Sequence, residues 1–322
     1  ARMMVPVVRL PLPQNPKPEK LTYAGSREIL KRFLNDLRAA EATLAAVRAE
    51  DVKLPLRVGA VHLDIDGDGK PDTRFAHLLG TALGGREIPA TADLAVTFDR
   101  ADVAWLRGYC HLLTAFAEAA LAHDGKELFD HTAHIFFANP DTPYAFLLEE
   151  RKAPFFDVGD GLDLIDVIAF IHTLRLPVAE PERMKSALGH LEKMLALSRE
   201  SWKYIQAEKD DDNEWIPNPQ QKGALGIPVR REMIDGWMAF VGEAEALLAG
   251  KRLVPFWRGA GDRGVNLRRV FTEPRTLDAV LWVQGTAAAP YLEEGEMSRK
   301  EVWDQLLRVF RGEFLGFALW FN

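Results

Sequence analysis

From Ser26 onward the apolar residues Leu30, Phe33, Leu34, Leu37, Leu44 and Val47 recur at helical spacing with charged residues between them. That pattern predicts an amphipathic helix with one buried face, and Ser26 has the short hydroxyl side chain of an N-cap. Leu54 to Leu63, beside Pro55 and ahead of an Asp/Gly cluster, reads as a short strand feeding a loop at Asp64. A helix over 73–83 should follow. Asp99, ahead of Arg100, Ala101 and Asp102, has the makings of a helix start, with one acid to cap free amides and another near the positive end of the dipole. The helix it opens, to about His123, is apolar nearly all round, as expected of a central helix surrounded by others, and Asp124-Gly125 ends it. Further helices are predicted at about 126–137, 161–175, 181–208, 229–249, 276–292 and 298–311, the last with a Ser298-to-Glu301 capping box.

The expected fold is therefore mainly α, a multi-helix globular domain with a short strand leading into the loop. Its first twenty residues, rich in proline, should form an extended arm, with residues 21–322 as a single helical domain. The acidic run and prolines of 209–219 mark the one place where that domain would subdivide. The end of the chain, 314–322, is too apolar for a free tail and should pack into the body.

Composition narrows the possible roles. With 48% hydrophobic and 27% charged residues over 322 positions, the chain is neither disordered nor fibrous. A net charge of -7 argues against a general nucleic-acid surface, which needs a basic excess to displace counterions from phosphates. There is no run of about 18 apolar residues that would span a membrane. Cys110 is the single cysteine, so no intramolecular disulfide forms. The sequence opens on Ala1 rather than methionine, as after removal of a secretory leader or after trimming.

The specific chemical signal lies in Asp64-Ile-Asp66-Gly-Asp68-Gly-Lys-Pro-Asp72, where carboxylates stand at the first, third, fifth and ninth positions and Gly69 at the sixth. Calcium prefers six to eight oxygens, and alternate residues of a curling chain turn theirs inward while glycine permits the turn. The segment resembles the first half of an EF-hand loop and, more closely, the calcium loops of integrin-type FG-GAP repeats. In that resemblance Asp64, Asp66, Asp68 and Asp72 are the side-chain ligands of Ca2+, and the Lys70 carbonyl supplies another. The departures are Phe75 at the twelfth position, in place of a bidentate glutamate, and Pro71 at the eighth, which has no amide to pair with a second loop. A single copy excludes a propeller. The loop should stand alone between a strand and a helix, its shell completed by water or a distant acid such as Asp93. One continuous loop that fills most of the coordination points to a structural ion, and an incomplete shell suits the higher calcium of a periplasmic or secreted setting.

Other constellations are weaker. Asp130, His131 and His134, with His123 nearby, are the basis for the alternative function, a metal-dependent hydrolase using His131 and His134, but the zincin spacing is lacking. Asp157, Asp160, Asp163 and Asp166 recur at every third position, where helix capping is the plainer explanation. Trp215, Trp237, Trp257, Trp282, Trp303 and Trp320 fall in the last third beside Arg258, Arg268, Arg269 and Arg275, a mixture that makes either core and rim or a stacking pocket. No catalytic motif is identifiable. The expected role is binding or scaffolding, with a small-molecule or protein ligand left open.

Overall fold

The computed structural model of the chain describes residues 15, 17–82, 94–149, 164–226, 228–259, 261–310 and 318. Its framework is mainly α-helical. In chain order the helices are α1 (Tyr23–Ala45), α2 (Phe75–Ala82), α3 (Arg100–Ala122), α4 (Lys126–Phe136), α5 (Leu164–Thr173), α6 (Pro181–Ala207), α7 (Arg231–Leu248), α8 (Leu267–Thr272), α9 (Ala279–Gln284) and α10 (Lys300–Phe310). Short strands punctuate them: β1 (Leu54–Arg57), β2 (His62–Leu63), β3 (Thr73–Arg74), β4 (Ala95–Phe98), β5 (Arg175–Leu176), β6 (Val254–Pro255), β7 (Arg263–Val265), β8 (Leu277–Asp278) and β9 (Leu292–Glu294).

The packing centre is α3 against α6, with α1 on the other side of α3 and α7 beside α6. Small residues of α3, among them Ala101, Ala104, Gly108 and Ala115, are buried and let the long α6 come close. Ala187, Leu188, Leu195, Trp202 and Ile205 of α6 face them and reach into a core shared with Ile234, Trp237 and Val241 of α7 and Leu306 and Phe310 of α10. Trp215 and Ile216, from the acidic and proline-rich segment, are buried in that same cluster. The centrality expected of α3 is real but incomplete, because Phe116 is 59% exposed while polar Asp102, His111 and Glu118 are buried.

Several boundaries differ from expectation for local reasons. α1 begins at Tyr23 because Thr22 Oγ1 accepts the Gly25 N–H at 2.9 Å, while Ser26 Oγ donates to the Tyr23 carbonyl inside the first turn. The strand expected over 54–63 is broken by a 3-10 turn at Val58–Ala60, which leaves β1 to pair with β4 and β2 with β3, both antiparallel. The helix expected over 276–292 becomes β8, α9 and a 3-10 turn, because Gly285 takes a φ of 111° and Pro290 lacks an amide. At α10 the Ser298 hydroxyl accepts from Trp303 Nε1, and the Arg299 amide is taken by Glu243 of α7.

Asp99 caps α3 as its sequence predicts, with a reciprocal box formed by Asp102. Of the arm, Pro18 to Leu21 lies along Asn139–Asp141, through Leu21 N–H to the Asn139 carbonyl and Asn139 Nδ2 to the Pro18 carbonyl. The expectations for residues 1–14, for Asp93, for Asp157, Asp160 and Asp163, and for Trp320 and the rest of the C-terminal segment apart from Ala318 lie outside the described residues.

Candidate functional site

β1 is held by its four-residue pairing with β4, and the chain turns through Val58–Ala60 into the two-residue hairpin of β2 and β3. Phe75 N–H to the Val61 carbonyl and Arg74 to the Gly59 carbonyl fasten the base of this hairpin. Residues 64–72 form its tip, so the candidate loop projects from a fixed stem into solvent. Phe75, at the position where an EF-hand carries its last ligand, instead packs against the core.

Within the loop, one carboxylate oxygen each of Asp64, Asp66 and Asp68 lies within 4.8 Å of the others. Backbone amides hold these side chains inward. Asp64 accepts from Asp68 N–H at 3.1 Å and Gly69 N–H at 2.9 Å, Asp66 from Asp68 N–H at 3.2 Å, and Asp68 from Lys70 N–H at 2.8 Å. Gly67 and Gly69 have φ of 71° and 88°, left-handed values that a side chain would strain and that turn successive amides inward. Lys70 Nζ rests on Asp68 Oδ2 at 3.1 Å and supplies one local countercharge. Asp72 is placed differently. Its amide donates to the Lys70 carbonyl at 2.9 Å and its carboxylate takes the Thr73 hydroxyl, outside the three-oxygen group.

The histidines of the alternative do not converge. His131 stacks on Tyr144 with ring centroids 4.7 Å apart, while His134 turns to Asp166 of α5, its Nε2 at 3.5 Å from the carboxylate. His123 is tied to the Ala119 carbonyl at 2.8 Å, and Asp130 is paired with Lys126. Among the described residues no group of three metal-ligating side chains includes a histidine. The tryptophans likewise scatter: Trp215 and Trp237 are core, Trp282 stacks on Tyr291, and Trp257 and Trp303 are partly exposed at separate places. Arg268 is engaged by Glu192, and Arg269 by Glu273 and Glu293. The Cys110 thiol is pushed above its ordinary range by burial and by Glu41, which opposes a thiolate nucleophile.

Two buried polar groups were invisible in the sequence pattern. Asp99, Glu208 and Glu214 bring carboxylate oxygens within 4.8 Å of one another where α3 begins and α6 ends, and Asp102 faces them. Burial, aided by the neighbouring acids, pushes both Asp102 and Glu208 up to about 8, so these two carboxyls hold protons at neutral pH. The second is a histidine pair, His111 on α3 and His190 on α6, with Nδ1 atoms 2.7 Å apart. Asp99 stands 109 positions before Glu208 and 115 before Glu214, and His111 stands 79 before His190, so no local spacing rule joins either group across its helices. No family model, curated protein or solved structure matches this chain.

Proposed function

We propose that this chain is a calcium-binding helical protein in which the Asp64–Asp72 loop holds one structural Ca2+ and the body serves a binding or scaffolding role. The observation that carries the reading is the inward convergence of the Asp64, Asp66 and Asp68 carboxylates, each oriented by loop amides. In this reading those three acids bind directly, the Lys70 carbonyl adds a fourth oxygen, and Asp72 joins directly or through water, as the ninth position of such loops often does. Lys70 Nζ then yields its place on Asp68 to the ion.

The reading includes a periplasmic or secreted location. The loop is solvent-facing and lacks a bidentate twelfth residue, which suits a Kd on the order of 10⁻⁴ to 10⁻³ M, the range of extracellular modules. Thermal unfolding in excess calcium, in magnesium and in chelator tests the proposal. Calcium at a hundred times its Kd should add about 2.7 kcal/mol, and magnesium much less, because its octahedral shell dehydrates reluctantly. An unfolding midpoint that is the same in calcium and in chelator overturns the reading.

A further inference from the structure

His111 is buried at the interface of α3 and α6, and its Nδ1 lies 2.7 Å from Nδ1 of His190. Two imidazole nitrogens at that distance require one proton between them, because two lone pairs repel and two N–H groups collide. With both rings neutral, one is the Nδ1–H tautomer and donates, while the other is the Nε2–H tautomer and accepts. One added proton is geometrically tolerated when it enters at the vacant Nε2 of the donor ring, which leaves a single proton in the contact. A further proton, making both rings cationic, puts an N–H on each side of a 2.7 Å gap.

We propose that His111 and His190 form an acid-operated latch that holds α3 to α6 with a single shared proton and releases when both rings become cationic. The surroundings favour the latched state. Glu41 of α1 faces His111 Nε2 at 3.8 Å but is already paired with Arg107 of α3 at 2.9 Å. Glu118 of α3 faces His190 but is paired with Arg183 of α6 at 2.6 Å. Lys193 of α6 and Arg38 of α1 face the pair as further cations. Arg183 also holds Glu180 at 2.7 Å, so four cations stand against three carboxylates, each already paired with an arginine, which leaves little to stabilise an added charge. Consistently, burial first and the neighbouring ring second hold His111 down at about 4, and burial with Lys193 holds His190 below its ordinary value. The latch joins the most extensively packed pair of helices among the described residues, so its opening loosens the centre of the fold rather than its edge.

The sign follows from linkage. A histidine whose folded-state pKa is depressed contributes stability above its unfolded value near 6.5, and that stability is lost as pH falls toward 4. The full chain with ¹⁵N-labelled histidine is to be titrated from pH 7.5 to 4 by long-range ¹H–¹⁵N correlation, with amide exchange followed in parallel. At pH 6 the pair should show one Nδ1–H and one Nε2–H ring, with His111 binding its proton at least about tenfold more weakly than free histidine and His190 also more weakly. Double protonation should coincide with lost amide protection in α3 and α6. Rings that titrate near 6.5 in the intact fold, or that are both cationic with protection unchanged, overturn the proposal. His190→Gln should flatten the fall of the urea midpoint between pH 6.5 and 4, and an undiminished fall would count equally against it. If that variant does not fold, the wild-type titration decides.

Discussion

Gly264, in the middle strand of the three-stranded β6-β7-β9 sheet, has no room for a side chain. A Cβ there would stand 2.5 Å from Leu253 Cβ and 2.9 Å from the Val254 carbonyl oxygen. Gly264→Ala should therefore cost about 1–3 kcal/mol through overpacking, measured as a lowered urea midpoint. Gly189, inside α6, meets nothing within 4 Å, and Gly189→Ala should instead stabilise by roughly 0.5–1 kcal/mol through backbone entropy. The sequence alone does not separate these two glycines, because the difference lies in distant neighbours. Local chemistry was legible: Asp99 and Asp102 announce a cap because both partners of the box lie within four residues. The DxDxDG spacing was legible for the same reason. His111 and Glu208 were not, since each meets its partner only after the helices have packed.

At the scale of elements, the long helices follow from their apolar periodicity, and most errors fall where a glycine or proline interrupts a favourable run. Gly285 with Pro290 is the plain case, and the 3-10 turn at Val58–Ala60 is another. Helix ends also carry buried acids whose effect is testable. Asp102 and Glu208 are raised to about 8, so they contribute stability that is complete below about pH 4 and is lost as pH rises through 8. Asp102→Asn keeps an acceptor for the Asp99 amide and removes the titration. Its urea midpoint should decline less than wild type between pH 5 and 8, and an equal decline would refute the assignment. The trend is opposite in sign to that of the histidine latch, so each must be read against its own variant.

A second element-scale device is Glu243 of α7, fully buried, which accepts from Arg299 N–H, Arg299 Nε and Arg252. Although burial opposes ionisation, these donors hold its carboxyl below the ordinary range and fasten the start of α10. Glu243→Gln should cost about 2 kcal/mol, the scale of a hydrogen bond to a charged group. It should expose the α7–α10 seam to amide exchange before the rest of the fold.

The whole molecule is a helical body with a net charge of -7 and an acidic loop on a short β stem. No helix among the described residues is long and apolar enough to cross a membrane. The helical class was readable because helix periodicity dominates the sequence, while the four small sheets among the described residues were largely hidden in runs of two to four residues. What the body binds was not readable, since the tryptophans of the last third that the structure describes lie at separate places and its Arg268 and Arg269 are engaged by glutamates. The loop remains the feature on which the calcium proposal rests.

The most direct test is calorimetric titration of calcium into chelator-stripped protein, with Asp66→Ala/Asp68→Ala as the control. One equivalent of binding, abolished in the double variant, is the predicted result. No binding up to about 10 mM, above the weakest range of such sites, or binding that persists in the double variant, would contradict the calcium reading.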